Sequence, residues 1–525
     1  MIERNTIKKL IFAAVAALLV AVSVYCLQRE KSECMGVPII SQQKAERFTQ
    51  FTEQDFNGRI LHMDMPVAID NASRTIYISQ NIDETTLYTE LDGMLVALEN
   101  QPMYFVRDEG FDNFSDAVRN GHGFRLIIDT DNGTYMEYNV VFTNLPVIRM
   151  VGEKTGVNEE NRSIYSGDII VWDGLYEGTG KYRTVQSNLE WHRRGASTLG
   201  DDKKSWKLSL KNEDGTNNDL DFVGLEEGDD DWILNAIYRD DTKVREKMTM
   251  DMWNQLCEDA PYNYKMSTGR YVEVVNNGQY CGLYLLQRRL DGKYLELDDE
   301  VLFKGIKATE GLPIEFFYDI VYPKTEKTER EHPDIDNLSA EEKAAYSLIE
   351  PLHINNDVSN IAMDNWADVS LMIDLGYMPD NAGRKNIYYI IEKDGESTKI
   401  KQLLWDTDFS FGVSYNKGFV HEPEGATDRR RYRREDVYLK EYYSNFDEIM
   451  AKRWFELRET VFTQENIFDQ IRKNTERINI CGAFERDRQL WGNYYDGGTD
   501  TVETLYTYVE QRLVFLDECY GESLG

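Results

Sequence analysis

The sequence predicts an α+β protein, in which a small all-β region is followed by a larger mixed domain. Short runs of alternating apolar and polar residues, separated by Asp, Asn and Gly turns, predict strands throughout residues 58–144. Residues 145–525 combine further strands with helical stretches. An apolar segment precedes both regions. The chain has 525 residues, of which 41% are hydrophobic and 29% charged, and this composition is typical of a globular protein with more than one domain.

The first 27 residues are predicted to be a membrane anchor. Residues 10–27 form an uncharged apolar run of 18, and Arg4, Lys8 and Lys9 precede it. Such a run can span a bilayer, and its basic flank favours a cytoplasmic N-terminus. A cleaved signal peptide is the alternative. We therefore expect a single-pass protein of the cell membrane with most of the chain extracytoplasmic, or a secreted protein if the segment is cleaved. The polar residues 28–57 are predicted to form a tether.

The net charge of −34 bears on the partners of the protein. A chain so acidic lacks the general electrostatic attraction to nucleic acid, so no nucleic-acid partner is expected. One segment reverses the local charge, because five arginines lie between Arg429 and Arg434. This cluster is either a solvated loop that neutralises nearby acids or a docking site for an acidic or phosphorylated protein substrate.

Cysteines and histidines give little indication of a metal site. Five cysteines follow the apolar segment, scattered and without a CxxC pair, which argues against a zinc ribbon. The sequence does not decide whether Cys481 and Cys519 form a disulfide. The six histidines show no metal-ligand spacing.

The mixed domain begins near Leu145 and contains several recognisable elements. Residues 204–210 alternate as in a strand, with Lys204 in line with the apolar face at its open end. Asp240 and Asp241 are placed to cap a helix. Asn277-Gly278 suits a type I′ turn between two strands.

Three features of this domain could carry chemistry. A glycine-containing turn at residues 194–198 leads into the lysine-bearing strand. Asp380 is followed six residues later by Asn386, and Asp406 and Asp408 end a predicted strand. Phosphoryl transfer needs a cation for the phosphates, a carboxylate for the attacking hydroxyl and oxygen ligands for Mg²⁺. Taken one at a time, Lys204 is more typical of a solvated lysine and Asp380 to Gly383 of a turn, while Asp406 and Asp408 are equally typical of a metal site and of a structural ion pair.

In their order and spacing, these pieces resemble the CotH family of atypical kinases, the spore-coat kinases and their bacterial relatives. The family pattern runs from an LPV strand through RGNST, a KKxY-type strand, an NGxYxGxYxLxE hairpin and an Asp–Asn loop to WDxDxxFG. The resemblance covers roughly residues 145–520 and implies a protein-kinase-like fold. The matching segments of this chain are Leu145-Pro146-Val147, Arg194-Gly195-Ala196-Ser197-Thr198, Lys203-Lys204-Ser205-Trp206, the hairpin from Asn277 to Leu286, Asp380 with Asn386, and Trp405 to Gly412.

The resemblance also implies roles for single residues. Asp380 would be the catalytic aspartate. Asn386 and one or both of Asp406 and Asp408 would hold Mg²⁺ or Mn²⁺. The implied contacts to ATP come from four basic residues, namely Lys204, with Lys207 as second choice, Arg194 at the phosphate site, and Arg288.

Two departures from the family pattern stand out. Ala196 replaces an asparagine of the family pattern. Arg288 stands where relatives have a glutamate. Arg288 would therefore either reverse a charge beside the ATP lysine or contact phosphate itself. The activity implied is transfer of the ATP γ-phosphate to Ser or Thr of a protein. The alternative is a non-catalytic surface module for binding or assembly.

Overall fold

The mixed α+β class is confirmed by the computed structural model. The structure describes residues 33–305, 328–332, 361–413 and 445–524, apart from short gaps at 53–59, 84–85, 88–90, 98–100, 108–113, 131–132, 177–179, 222, 226–227, 383–385 and 395–396. The apolar run 10–27 and the arginine cluster 429–434 lie outside the described residues. Within the described residues, no helix is both long and apolar enough to cross a membrane.

The strands are numbered in chain order. They are β1 (Glu33–Cys34), β2 (Val37–Ile40), β3 (Gln50–Phe51), β4 (Ile60–His62), β5 (Met65–Pro66), β6 (Ala68–Asp70), β7 (Thr75–Ser79), β8 (Leu95–Ala97), β9 (Met103–Val106), β10 (Gly123–Asp129), β11 (Thr134–Thr143), β12 (Val147–Val157), β13 (Ser163–Tyr176), β14 (Lys181–Arg193), β15 (Trp206–Lys211), β16 (Asp231–Asn235), β17 (Gly269–Asn276), β18 (Gln279–Arg288), β19 (Val301–Gly305), β20 (Thr328–His332), β21 (Ile387–Asp394) and β22 (Ser397–Leu404).

The α-helices are numbered in the same way. They are α1 (Gln42–Ala45), α2 (Phe114–Arg119), α3 (Arg245–Asp259), α4 (Met363–Gly376), α5 (Pro379–Ala382), α6 (Phe446–Arg458), α7 (Gln464–Asn479), α8 (Ala483–Trp491) and α9 (Val502–Gly521).

The N-terminal region is built on an eight-stranded sheet with the order β1-β2-β9-β10-β11-β7-β6, in which β3 also pairs with β11. A separate three-stranded sheet has the order β5-β4-β8. Strands β1, β2 and β3 lie within the polar segment predicted as a tether, so residues 33–51 are part of the sheet instead. The region also contains helix α2, which the all-β prediction did not include. The boundary at residue 145 stays a prediction.

A closed barrel follows, with the order β12-β13-β14-β15-β16-β18-β17. It closes because β12 pairs in parallel with β17. The two-residue period of β15 buries Trp206, Leu208 and Leu210, as the sequence predicts. The hairpin of β17 and β18 turns at Asn277 (φ 49°) and Gly278 (φ 72°), the two positive φ angles that a type I′ turn requires.

The N-terminal sheet is docked on the tip of this hairpin. The amide of Asn71 donates to the carbonyl of Gly278 (2.8 Å), and the amide of Tyr280 donates to Asp70 Oδ2 (2.8 Å). The rings of Tyr77 and Tyr280 stack with their centroids 4.2 Å apart. An apolar cluster shared by both parts surrounds this contact.

The C-terminal part contains a four-stranded sheet, β20-β19-β21-β22, and helices α4 to α9. Helix α4 lies on β22, where the indole of Trp366 donates to the carbonyl of Ile400 (2.9 Å). Helix α3 shares one hydrophobic core with these helices and with the outer face of the barrel. The sheet, the barrel and α3 therefore meet around a common region.

Helix α3 begins at a buried ion-pair network. Arg245 is 1% exposed, and its guanidinium contacts Asp500 Oδ1 (2.7 Å) and Asp240 Oδ1 (2.5 Å). The other oxygen of Asp240 accepts the backbone amide of Arg245 (2.8 Å). The N-cap residue itself is Val244, which gives no side-chain cap, so the predicted capping by Asp240 or Asp241 is not seen. The network joins the loop before α3 to the loop before α9.

Replacing Arg245 should destabilise the protein severely. Arg245→Ala leaves two buried carboxylates without their cation, and we expect a loss of about 3–5 kcal/mol in the free energy of unfolding. Lys247→Ala is a matched control on the same helix, since Lys247 pairs with Asp251 at a more exposed position. That change should cost less than about 1 kcal/mol. Urea denaturation measures both, and equal losses would contradict a special role for Arg245.

A buried histidine lies in the three-stranded sheet. His62 is 2% exposed, with Nε2 3.2 Å from the carbonyl oxygen of Asp92 and Nδ1 3.4 Å from the hydroxyl of Tyr182. Burial lowers the pKa of His62 from 6.5 to about 4, opposed by its bond to Asp92. The folded state therefore holds His62 neutral where the unfolded chain takes up a proton.

This difference predicts a pH-dependent stability. Because the folded pKa lies below the unfolded one, the contribution of neutral His62 is complete above pH 6.5 and is lost as the pH falls towards 4. The slope should reach at most about 1.4 kcal/mol per pH unit. His62→Gln should flatten the slope between pH 6.5 and 4 in denaturation curves. An unchanged slope would show that His62 titrates normally.

The five cysteines that follow the apolar run form no disulfide with one another in the described part of the chain. Cys481 is buried with its Sγ 3.0 Å from Thr143 Oγ1, and Cys519 is also unbridged. The disulfide left open by the sequence is therefore absent from the structure.

Candidate active site

One end of the four-stranded sheet brings the predicted site residues together. Strand β19 ends, β21 begins and β22 ends at the same edge. The amide of Asn386 donates to the carbonyl of Gly305 (3.2 Å), and the amide of Trp405 donates to the carbonyl of Asn386 (3.0 Å). Asn386 and Asp406 are thus neighbours across the strand ends.

The side chain of Asn381 connects the start of β21 with the end of β22. Its side-chain amide donates to the carbonyls of Asn386 (3.1 Å) and Trp405 (2.8 Å). The adjacent Asp380 accepts a hydrogen bond through its Oδ2 from the side-chain Nδ2 of Asn386 (3.3 Å). Asp380 and Asn386 are therefore in contact. Asp406 follows Trp405, whose carbonyl Asn381 binds.

Asn386 and Asp406 both have left-handed backbone conformations, with φ of 58° and 56°. Asn and Asp adopt this region more readily than other residues with a side chain. Such conformations cluster at functional sites, where the surrounding structure holds them. The strained backbone at these two residues therefore indicates a functional site.

A carboxylate that the sequence analysis missed completes the group. Glu246 lies in the first turn of α3, where an acidic side chain suits the helix dipole. Its Oε2 accepts from the amide (2.6 Å) and the hydroxyl (3.0 Å) of Thr407, the residue between Asp406 and Asp408. No local motif marks Glu246, because a contact across 161 residues brings it there.

Glu246, Asp380, Asp406 and Asp408 are called the acidic cluster below. Burial and then the charge of Asp406 raise the pKa of Glu246 to about 8. Burial, followed by the charges of the other three members, raises the pKa of Asp408 well above its usual range. After burial, repulsion between the carboxylates is the second cause of both shifts.

The cluster has the donor atoms that a divalent cation takes, although among the described residues the one group of three carboxylates whose oxygens already lie within 4.8 Å of one another is Asp219, Asp229 and Asp230. All its members offer hard oxygen donors, which Mg²⁺ and Mn²⁺ prefer. In the part of the chain that the structure describes, Glu246 Oε1 is buried with no hydrogen-bond partner. A cation would satisfy that oxygen and offset the mutual repulsion. Asn386, Asp406, Asp408 and Glu246 are the residues that would hold it.

Two arginines border the acidic cluster. Arg194 lies with its guanidinium 5.7 Å from the centroid of the Trp405 ring, and burial lowers its pKa while Asp406 opposes the shift. Arg239 is bidentate to Asp201 (2.7 and 2.9 Å). Burial opposes the shift, but the bonds to Asp201 raise the pKa of Arg239, and the charge of Asp408 adds to that rise. Arg194 is therefore beside the site, as the resemblance implies.

The structure does not show the expected role for Lys204. Strand β15 begins two residues later, and Lys204 donates to the carbonyls of Leu199 (2.9 Å) and Asp201. Its neighbour Lys203 is the buried lysine. Lys203 donates to Asp487 Oδ1 (2.6 Å) and therefore ties the segment before β15 to helix α8.

The second-choice lysine and Arg288 have partners of their own. Lys207 pairs with Asp231 across β15 and β16 (2.8 Å). Arg288 pairs with Asp229 (3.0 Å), whose carboxylate lies in a group with Asp219 and Asp230. In this structure Arg288 therefore balances a separate acidic group.

Comparison with known proteins identifies the family. The family model described as CotH kinase protein matches residues 192–516, which is more than half of the chain. The protein therefore belongs to this family. No curated protein matches the chain. The match begins at the end of β14, so the N-terminal sheet and the first strands of the barrel lie before it.

Glu246→Gln tests the acidic cluster. The change keeps an acceptor for Thr407 but removes a carboxyl that its neighbours repel, so the melting temperature without metal should rise by about 2 °C or more. The further rise on adding Mn²⁺ with ATP should shrink. Glu258→Gln, at an exposed position of the same helix, is the control and should change neither. A lower melting temperature with an unchanged ligand effect would mean that Glu246 is purely structural.

Proposed function

We propose that this protein transfers the γ-phosphate of ATP to a Ser or Thr hydroxyl of a protein substrate, using Mg²⁺ or Mn²⁺. The observation that carries the proposal is the convergence of Asp380 and Asn386 with Asp406, Asp408 and Glu246. Asp380, Asn386, Asp406 and Asp408 flank the two ends of the β21–β22 hairpin, and Glu246 joins them from helix α3, far earlier in the chain. Membership of the CotH kinase protein family supports it.

In this proposal, Asp380 orients the acceptor hydroxyl and accepts its proton. Asp380 is partly exposed, so an incoming substrate can reach it. The hydroxyl oxygen forms a bond to the γ-phosphorus, the bond to the β–γ bridging oxygen breaks, and ADP leaves. Little covalent chemistry falls to the protein in such a reaction, and positioning supplies most of the catalysis.

The acidic cluster would place the divalent ion against the phosphates. When bound, that ion neutralises negative charge on the oxygens of the transferring group. Asn386 contributes a neutral oxygen, while Asp406, Asp408 and Glu246 contribute carboxylates. Asn381 keeps Asn386 and Asp406 at a fixed separation through its two hydrogen bonds.

Binding without catalysis is the second candidate function. The contacts of Lys204 and Lys207 favour it, since one donates to loop carbonyls and the other is paired with Asp231. Ala196 also gives no side-chain cap to the short turn Ser197–Gly200 that follows it. A protein of this kind would bind ATP or a partner in the same cleft without transferring phosphate.

The location and the partner are also proposals. A membrane-anchored, extracytoplasmic enzyme is supported by the apolar run 10–27 and its basic flank. Recognition of an acidic substrate is supported by the charge reversal at Arg429–Arg434 in a chain of net charge −34.

Asp380→Asn separates catalysis from binding. It should reduce phosphoryl transfer by a factor of about 10²–10⁴, because the amide cannot accept the hydroxyl proton. The affinity for ATP with Mg²⁺ should change by less than about threefold, since the phosphates are held by other groups. Transfer of radiolabelled phosphate to the protein itself and to a Ser-rich acceptor measures the first quantity, and calorimetry measures the second.

Asp364→Asn is the matched control, because Asp364 is exposed in the first turn of α4. It should keep full activity. If the wild type binds ATP with Mg²⁺ but transfers nothing to any acceptor, the non-catalytic function is favoured. If the wild type binds no nucleotide, the kinase proposal is wrong.

A further inference from the structure

A cavity of about 400 Å³ lies on one face of the N-terminal sheet, before the region that the family model matches. Its floor contains Arg125 of β10 and Glu137 and Asn139 of β11, which alternate with core residues along these strands. On the same face, Ile127 packs with helix α1 and Val141 packs with the barrel hairpin. The cavity therefore lies between two covered parts of the face, and its volume is within the range of ligand-binding pockets.

Arg74 borders the cavity and carries a charge that no carboxylate of the described residues balances. Its guanidinium lies over the ring of Phe51, 4.4 Å from the centroid. The ring of Tyr135 packs edge-on against that of Phe51, with the centroids 5.9 Å apart, and so holds the Phe51 ring in place. A guanidinium stacked in this way keeps the N–H groups at its edge for a ligand.

The lining of the cavity is basic, although the whole chain has a net charge of −34. Arg125 pairs with Glu137 (2.7 Å), so these two charges offset each other. Arg74 then leaves one positive charge in excess. A carboxylate bound at Arg74 would gain charge-assisted hydrogen bonds that the described residues do not supply.

The turn that carries Arg74 is held on both sides. Asp70 Oδ1 accepts hydrogen bonds from the amide (2.7 Å) and the hydroxyl (3.0 Å) of Ser73. Its Oδ2 accepts the amide of Tyr280 in the barrel hairpin. The carbonyl of Arg74 accepts the amide of Asn139 (3.0 Å). The guanidinium is thus positioned before a ligand arrives, which lowers the entropic cost of binding.

The edge of β11 has a gap beside Arg74. Strand β3 pairs with β11 as far as Tyr135, and β7 begins to pair at Asn139, so neither strand is in register with Glu137. The carbonyl of Tyr135 accepts the amide of Thr52 at this edge (2.7 Å), and the amide of Asn139 donates at the same edge. Because backbone groups alternate along a strand, Glu137 turns its N–H and C=O into the gap. One residue of an extended peptide can pair with both groups.

We propose that this cavity binds an extended acidic peptide. Arg74 holds the carboxylate of an Asp or Glu side chain, and the backbone of Glu137 pairs with the backbone of the peptide. An acidic saccharide offers the same carboxylate but lacks the backbone groups that the gap at Glu137 fits. The proposal is independent of the proposed function, because the cavity is separate from the acidic cluster and precedes the matched region.

The test measures binding of a fluorescent peptide of alternating Glu and Gly to the full chain by anisotropy. Arg74→Gln should weaken binding about tenfold or more, as expected for the loss of a hydrogen bond between charged groups. Glu137→Gln should strengthen binding about twofold or more, because it removes the negative charge of the lining. A damaged fold would not produce effects of opposite sign.

Arg47→Gln is the matched control, because Arg47 is exposed after helix α1 in the same region and does not line the cavity. It should bind the peptide as the wild type does. Two further peptides test the two contacts separately. A peptide with Gln in place of Glu should bind about tenfold more weakly or worse. A peptide with N-methylated Glu residues should also bind more weakly, since it cannot donate to the carbonyl of Glu137.

Each contrary result overturns the proposal. If the acidic peptide does not bind the wild type, the cavity is no peptide site. If Arg74→Gln binds the peptide equally well, the peptide binds elsewhere on the chain. If the N-methylated peptide binds as tightly as the unmodified one, the backbone of Glu137 takes no part. If an oligogalacturonate binds more tightly than the peptide, the carboxylate site serves an acidic saccharide instead.

Discussion

The buried pairing of Arg245 with Asp240 and Asp500 is the constraint on which the site depends. It fixes where α3 begins, because Asp240 binds both the guanidinium and the first helical amide. Glu246 is the next residue, and its reach to Thr407 follows from that starting point. A buried ion pair is costly to desolvate and adds little net stability, but it permits few alternative arrangements. Here that restriction positions a carboxylate of the site.

The site is divided among elements that are distant in sequence. The sheet contributes Asn386 and Asp406, helix α3 contributes Glu246, and the barrel contributes Arg194. Each element is held by its own buried contacts, such as the bond of Lys203 to Asp487 beneath the barrel turn. Strained backbone at Asn386 and Asp406 is tolerated because Asn381 binds the carbonyls beside them. Preorganisation of this kind is what phosphoryl transfer requires from a protein.

Local patterns in the sequence predicted the parts of this structure that depend on local rules. The two-residue period placed Trp206, Leu208 and Leu210 inside the barrel, and Asn277-Gly278 predicted a hairpin that is present. Asp380 and Asn386, which the sequence singles out by their order and spacing, are hydrogen-bonded in the fold, while the roles that the resemblance implies for them stay predictions. Glu246 could not be found in this way, because its partner is a loop 161 residues away. The alternation around Lys204 placed the start of the strand too early, since β15 begins at Trp206 and the side chain of Lys204 donates to a loop carbonyl instead. Strands β1 to β3 are two to four residues long, too short to show a period.

The closure of the barrel has a consequence for how the chain can be divided. The matched region starts at residue 192, but the barrel closes through β12, whose partners are β13 and β17. A fragment trimmed to the match would leave β15-β16-β18-β17 as an open sheet with two unpaired edges. The buried indoles of Trp206 and Trp232 would then face water. Unpaired edges beside exposed aromatic rings favour association with other copies. A fragment cut at residue 145 would keep the barrel closed but expose the apolar surface on which Tyr77 now rests. The N-terminal sheet thus covers an apolar surface of the barrel that would otherwise face solvent.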